Sequence, residues 1–188
     1  SYFNGLARMN KQTGTCQDAT SLLQGNLNAG KPKVSCIIED KNKNLWVGTY
    51  GSGLYKINLP TQHVTYYEST RNENDDWSIN RLPNDWISYL LEDKEGMIWI
   101  GTYKGLAVLN PQTDNFINYK KQNNLLPGYV VYSLLENSNG EIWAGTSEGL
   151  VCLNKDRLTP VLFTTADGLP SDIICGLAED EKKNIWIS

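Results

Sequence analysis

Four times along the chain a glutamate stands directly before an aspartate or asparagine: Glu39-Asp40, Glu92-Asp93, Glu136-Asn137 and Glu179-Asp180. Adjacent acidic side chains can hold a hard cation or serve as an acid and a base. "DKNKNL" and "DKEGMI" begin like a calcium loop, but the Gly at position 6 and the Glu at position 12 that such a loop needs are not both present. No metal is assigned. The pairs read instead as strand ends entering a turn, where a short Asp or Asn side chain accepts from the backbone two residues on. His63, in "TQHVTYY", lies on an apparent outer strand with no nucleophile arranged around it, and reads as solvated rather than catalytic. Cys16, Cys36, Cys152 and Cys175 show no C-x-x-C spacing, and one histidine cannot complete a zinc set with them. Free thiols are expected, with one disulfide left open in an oxidising compartment. No catalytic residue and no cofactor is assigned.

The acidic pairs belong to a longer repeated line. Trp46, Trp99, Trp143 and Trp186 each follow the Asp or Asn by six residues, at intervals of 53, 44 and 43. Gly48, Gly101 and Gly145 follow the first three tryptophans, and a Gly-Leu pair comes after each. Such intervals are close to the period of propeller blades. In alignment the chain divides into four periods, 1–48, 49–101, 102–145 and 146–188, cut inside a repeat at both ends.

Within a period, short apolar runs rich in β-branched and aromatic residues alternate with turn clusters: "YVVYSLLEN", "EIWAGT", "LVCLN" and "PVLFTT" in the third. Four antiparallel strands in this length make one blade of an all-β propeller. A lone four-stranded sheet leaves apolar faces uncovered, so blades must stack. The tryptophan column is then a wedge between blades, and the glycine after it permits close approach of the neighbouring strand.

With 188 residues, 40% apolar and 20% charged, the composition is globular, and a net charge of −4 with pI near 5.0 leaves no basic field for nucleic acid. No apolar run approaches 18 residues, and "SYFNGLARMN" has no leader character.

In "LPNDWISYLLEDKEGMIWIGTYKGLAVLN" and "LPSDIICGLAEDEKKNIWIS" the sequence resembles the two-component regulator propeller repeat. The first period departs most, with no Leu-Pro at the expected place. The resemblance implies a periplasmic sensor segment of a hybrid two-component protein, often cued by glycan breakdown products. It also implies further blades making up propellers of about seven, a kinase module elsewhere in the parent, and a homodimer. An alternative is that four periods close on themselves.

The first full interval is nine residues longer than the second, and the excess falls in "ESTRNENDDWSINRLPND", which adds Arg71, Asp75, Asp76, Trp77 and Arg81. This loop shares a face with the turns after the Trp strands, which contribute Tyr2, Phe3, Tyr50, Tyr103, Lys104 and Glu148. Trp86, beside Asp85, opens an inner strand at the channel mouth. An aromatic platform with Arg, Asp and Asn around it suits an oligosaccharide. The candidate ligand-binding set is Arg71, Trp77, Arg81, Asp85, Trp86, Tyr50, Tyr103 and Lys104; the loop can equally pack its Trp onto its own blade, or form a dimer surface. The functional expectation is a non-catalytic sensor of a carbohydrate-type signal. The alternatives are an interaction or dimerisation module without a small ligand, and, third, a lyase or glycosidase propeller.

Overall fold

The computed structural model describes residues 5–23, 32–69, 80–119, 126, 130–154 and 160–188. Its strands are β1 Ala7–Met9, β2 Cys16–Asp18, β3 Val34–Glu39, β4 Asn44–Thr49, β5 Leu54–Asn58, β6 Val64–Tyr67, β7 Ile87–Glu92 and β8 Ile98–Thr102. They continue with β9 Gly105–Asn110, β10 Asn115–Tyr119, β11 Val131–Glu136, β12 Ile142–Thr146, β13 Gly149–Leu153, β14 Pro160–Phe163, β15 Leu177–Glu179 and β16 Ile185–Ile187. Three antiparallel sheets of four, β3–β6, β7–β10 and β11–β14, are complete blades. Separate two-stranded sheets, β1–β2 and β15–β16, flank them. These half-sheets pair within themselves and not with each other, so the ring is open and the four periods do not close on themselves.

The middle strands of each blade are buried on both faces and therefore read as unbroken apolar runs: β8, "IWIGT", and β13, "GLVCL", are buried at every position. The outermost strands, β6, β10 and β14, are partly exposed. The core lies in the seams between blades. Trp46 of the first blade joins Ile87, Leu90, Ile98, Ile100 and Leu109 of the second, and Trp99 of the second joins Val131, Leu134 and Ile142 of the third. Both indoles are 0% exposed. Truncating one to Ala would cost about 3–5 kcal/mol. Each tryptophan also stacks on an aromatic residue of its own blade's outermost strand: Trp46 on Tyr67 at 6.0 Å, Trp99 on Tyr119 at 5.8 Å and Trp143 on Phe163 at 5.9 Å. The glycine column is sterically required, since a Cβ on Gly145 would stand 2.5 Å from the carbonyl oxygen of Ile174, on the segment that leads into β15.

The wedge is fixed by the acidic column. Asp40 Oδ1 accepts from the backbone N–H of Asn42 and Asn44, and Oδ2 accepts from the Asn44 amide and from Trp46 Nε1 at 2.8 Å. Asp93 repeats the pattern, with Trp99 Nε1 at 2.7 Å, and Asp180 with Trp186 Nε1 at 3.0 Å. The preceding glutamate reaches across the seam. Glu92 accepts from the Lys41 N–H, Glu136 from Lys94 and Glu179 from Ser138, in each case the turn residue of the blade before. Lys41 and Lys94 then donate their ammonium groups to carbonyls of the following blade's turn.

The third blade breaks this pattern. Asn137 uses Oδ1 for its turn but presents Nδ2, a donor, where the aspartates present an acceptor; that amide binds Glu141 at 2.6 Å. The Trp143 indole nitrogen is buried without a partner among the described residues. Asn137→Asp combined with Glu141→Asn recreates the pairing of Asp40 with Asn44. The double variant is expected to gain about 1 kcal/mol, a rise of roughly 2–4 °C in Tm; an unchanged or lower Tm by calorimetry would contradict the assignment.

Burial opposes charge on Asp40, but the hydrogen bonds from Asn44, Trp46 and Asn42 outweigh it and hold its pKa below the ordinary 3.8. As pH falls, the unfolded chain therefore takes up this proton first. The stabilisation is complete above about pH 4–5 and is lost as pH drops through the folded-state value. Urea titrations between pH 6 and pH 2.5 should show a shallower acid loss in Asp40→Asn than in the parent; equal slopes would place the acid sensitivity elsewhere.

Candidate functional site

The face opposite these acidic turns carries the connections from the second to the third strand of each blade. Thr49, Thr102 and Thr146, all 0% exposed, build them. Each hydroxyl donates to the carbonyl of the turn glycine, Gly53, Gly105 or Gly149, at 2.7–2.8 Å, and accepts from the N–H of Ser52, Lys104 or Glu148. The residue after each Thr donates its N–H to the residue before the blade's first strand: Tyr50 to Lys33, Tyr103 to Trp86 and Ser147 to Val130. Two columns of side chains thereby line the face, Lys33, Trp86 and Val130 inside and Tyr50, Tyr103 and Ser147 beside them.

At the seam between the first and second blades the columns meet as three aromatic rings. Tyr50 and Trp86 lie 6.0 Å apart, Tyr50 and Tyr103 6.0 Å, and Trp86 and Tyr103 5.6 Å, all at steep mutual tilts. Trp86 is 49% and Tyr103 38% exposed. Burial, followed by the adjoining Tyr103 phenol, raises the Tyr50 pKa above 10.0, so the hydroxyl stays protonated at neutral pH. The backbone beneath is braced. The Asp85 carbonyl accepts from the N–H of Gly51 and of Gly53, the Asp85 carboxylate accepts from Ser69 N–H at 2.6 Å, and Asn84 accepts from Trp86 N–H. The end of the long loop is thus tied to the turn of the preceding blade.

Tyr50, Trp86 and Tyr103 form the cluster, Asp85 holds its base, and Lys104 follows Tyr103 with its side chain exposed. Arg81 sits elsewhere, on a segment laid against β10: its carbonyl accepts from Asn118, and neighbouring Asn80 bonds Asn115 and Phe116. Arg71 and Trp77 lie outside the described residues. Lys33, exposed on the inner column next to Tyr50, escaped sequence reasoning. Its signal was position, since it precedes its blade's first strand as Trp86 precedes β7. His63 is exposed one residue before β6, and the four cysteines are free. Burial raises the thiol pKa of Cys36 and of Cys152 to about 11, which keeps both protonated and unreactive at neutral pH.

Stacked four-stranded sheets with seam tryptophans and a braced aromatic face define a segment of a β-propeller. Residues 30–51, 81–104 and 125–148 match the family described as two component regulator propeller. Among solved structures, an extracellular domain described as part of a hybrid two component system from B. thetaiotaomicron superposes on 100% of the chain with a TM-score of 0.81 and 25% identity. A second such domain from that organism covers 98% with a TM-score of 0.75 and 24% identity. The chain spans about a quarter of these relatives, 24% and 23% of their lengths. Virginiamycin B lyase from Staphylococcus aureus shares the fold over 98% of the chain and 56% of its own, with a TM-score of 0.69 and 12% identity. A search of curated proteins finds no match. Among the described residues no helix is long and apolar enough to cross a membrane.

If Trp86 is held out for contact rather than for packing, removing it should cost little stability. Trp86→Ala is expected to lower the unfolding free energy by less than about 1 kcal/mol, while Thr102→Val, which strips two buried hydrogen bonds, should cost about 2 kcal/mol. A loss above about 3 kcal/mol for Trp86→Ala in urea denaturation would assign the ring to packing.

Proposed function

We propose that the chain is a non-catalytic segment of a periplasmic sensor propeller in a hybrid two-component protein, and that its Tyr50–Trp86–Tyr103 face receives a carbohydrate-type signal. The observation that carries this reading is the exposed aromatic surface on braced backbone. Rigid rings present a stacking area with little ordering cost, and the neighbouring polar groups can meet sugar hydroxyls. Asp85 positions the surface and Lys104 borders it; Arg71 and Trp77 of the long loop are its proposed extension. The similarity to extracellular domains described as parts of hybrid two component systems supports the sensor role. The enzyme among the fold neighbours is 12% identical, and its activity does not transfer.

Signalling requires that the ligand bind one arrangement of propellers or protomers better than another, because equal affinity shifts no equilibrium. The remaining blades and a kinase module of the parent, as a homodimer, would supply those arrangements. A second reading, an interaction surface without a small ligand, is favoured by exposed apolar residues on the outer strands, with Ile117 at 55%, Val161 at 43% and Leu162 at 40%.

Calorimetric titration with a panel of defined oligosaccharides tests the proposal. Binding should weaken at least tenfold in Trp86→Ala and in Tyr103→Ala, equivalent to about 1.4 kcal/mol. Affinity that survives both substitutions moves the site to other blades, and absence of binding throughout the panel favours the interaction reading.

A further inference from the structure

We infer that the Tyr50–Trp86–Tyr103 surface selects an acidic saccharide, one bearing carboxylate or sulfate groups, through Lys33 and Lys104 on its two sides; this rests on the carbohydrate reading above. The rings themselves exclude a different ligand class. Separations of 5.6–6.0 Å put them in direct contact with one another. No space remains between them for the cation that an aromatic cage would hold. They present one continuous stacking surface, with Lys33 and Lys104 exposed beside it and the Asp85 carboxylate bonded to the Ser69 N–H at its base.

Lys33 contributes its carbonyl to the Tyr50 N–H, which fixes its backbone beside the first ring. Lys104 follows the third ring, and its N–H is anchored on Thr102 Oγ1 at 3.1 Å. Both side chains are exposed. Four other lysines spend their ammonium groups within the fold: Lys41, Lys56 and Lys94 donate to carbonyls of the next blade, and Lys43 pairs with Glu39. Neither Lys33 nor Lys104 has a carboxylate within salt-bridge distance among the described residues. Asp85, the nearby acid in sequence, directs one carboxylate oxygen at the Ser69 N–H.

The third blade lacks both the ring and the cation. One blade further on, Ser147 stands in the place of Tyr103 and Glu148 in the place of Lys104, so the stacking surface and the cation disappear at the same step. In a chain with a net charge of −4, a local pair of cations beside exposed rings favours an anion over a neutral sugar there.

The test is a binding panel on the whole 188-residue chain, pairing acidic and neutral saccharides of matched length, such as cellobiouronic acid with cellobiose and oligogalacturonides with galacto-oligosaccharides. Acidic members are expected to bind at least tenfold tighter at 50 mM salt, with the preference shrinking at 500 mM as screening increases. The double variant Lys33→Gln, Lys104→Gln should bring the ratio within about threefold while leaving the folded fluorescence spectrum unchanged. Neutral members binding as tightly as acidic ones, with loss in Trp86→Ala, would overturn the acidic preference and leave the carbohydrate reading standing. A preference that persists in the double variant would also overturn it. No binding by any member would remove both.

Discussion

One hydrogen bond organises this fold: a turn aspartate accepting from the indole nitrogen of the tryptophan six residues on. Trp46 and Trp99 are the largest side chains in their seams, and a buried N–H without an acceptor costs roughly 1–3 kcal/mol. The carboxylates of Asp40 and Asp93 satisfy it while also receiving the backbone N–H groups of their own turns. The same side chain thus shapes the hairpin and sets the angle of the wedge against which the next blade packs. Trp143, beside Asn137, shows the arrangement without its acceptor.

The seams have a direction. Glu92, Glu136 and Glu179 each reach back to the preceding turn, and lysines, where present, reach forward to the following one. The third turn has Ser138 in place of the lysine, so its joint to β15–β16 keeps the glutamate contact without the forward clamp. These contacts occupy one face of the molecule. The other face is held by buried threonine hydroxyls and by the Asp85 carbonyl, which leaves its side chains free to be exposed. The seam clamps and the proposed recognition surface thereby lie at opposite ends of the strands.

Much of this was legible from spacing. Repetition marked the Trp and Gly columns because seam packing demands one large ring and one missing Cβ at fixed positions in every blade. The aspartate column was legible as a turn former, since a short acceptor two residues before a free N–H is a local feature. Its bond to the indole and the reach of Glu92, Glu136 and Glu179 across the seam were not, because both depend on the stacking of separate sheets. The aromatic partners Tyr67, Tyr119 and Phe163 were hidden in outer strands of variable spacing. At the candidate site, ring residues stood out by type and Tyr50, Trp86 and Tyr103 do meet, whereas Arg81 was drawn to β10 by Asn118 and Asn80. Lys33 was missed because a lone lysine before a strand has no local signature.

Amide and indole hydrogen exchange followed by NMR tests the organising bond most directly. The Trp46 and Trp99 indole protons, buried and bonded to carboxylates, should exchange as slowly as the core amides of β4 and β8, while Trp186, bonded but 65% exposed, exchanges far faster. Exchange of the Trp46 and Trp99 protons within the dead time would contradict the account, because it would mean that the seams open without unfolding the blades.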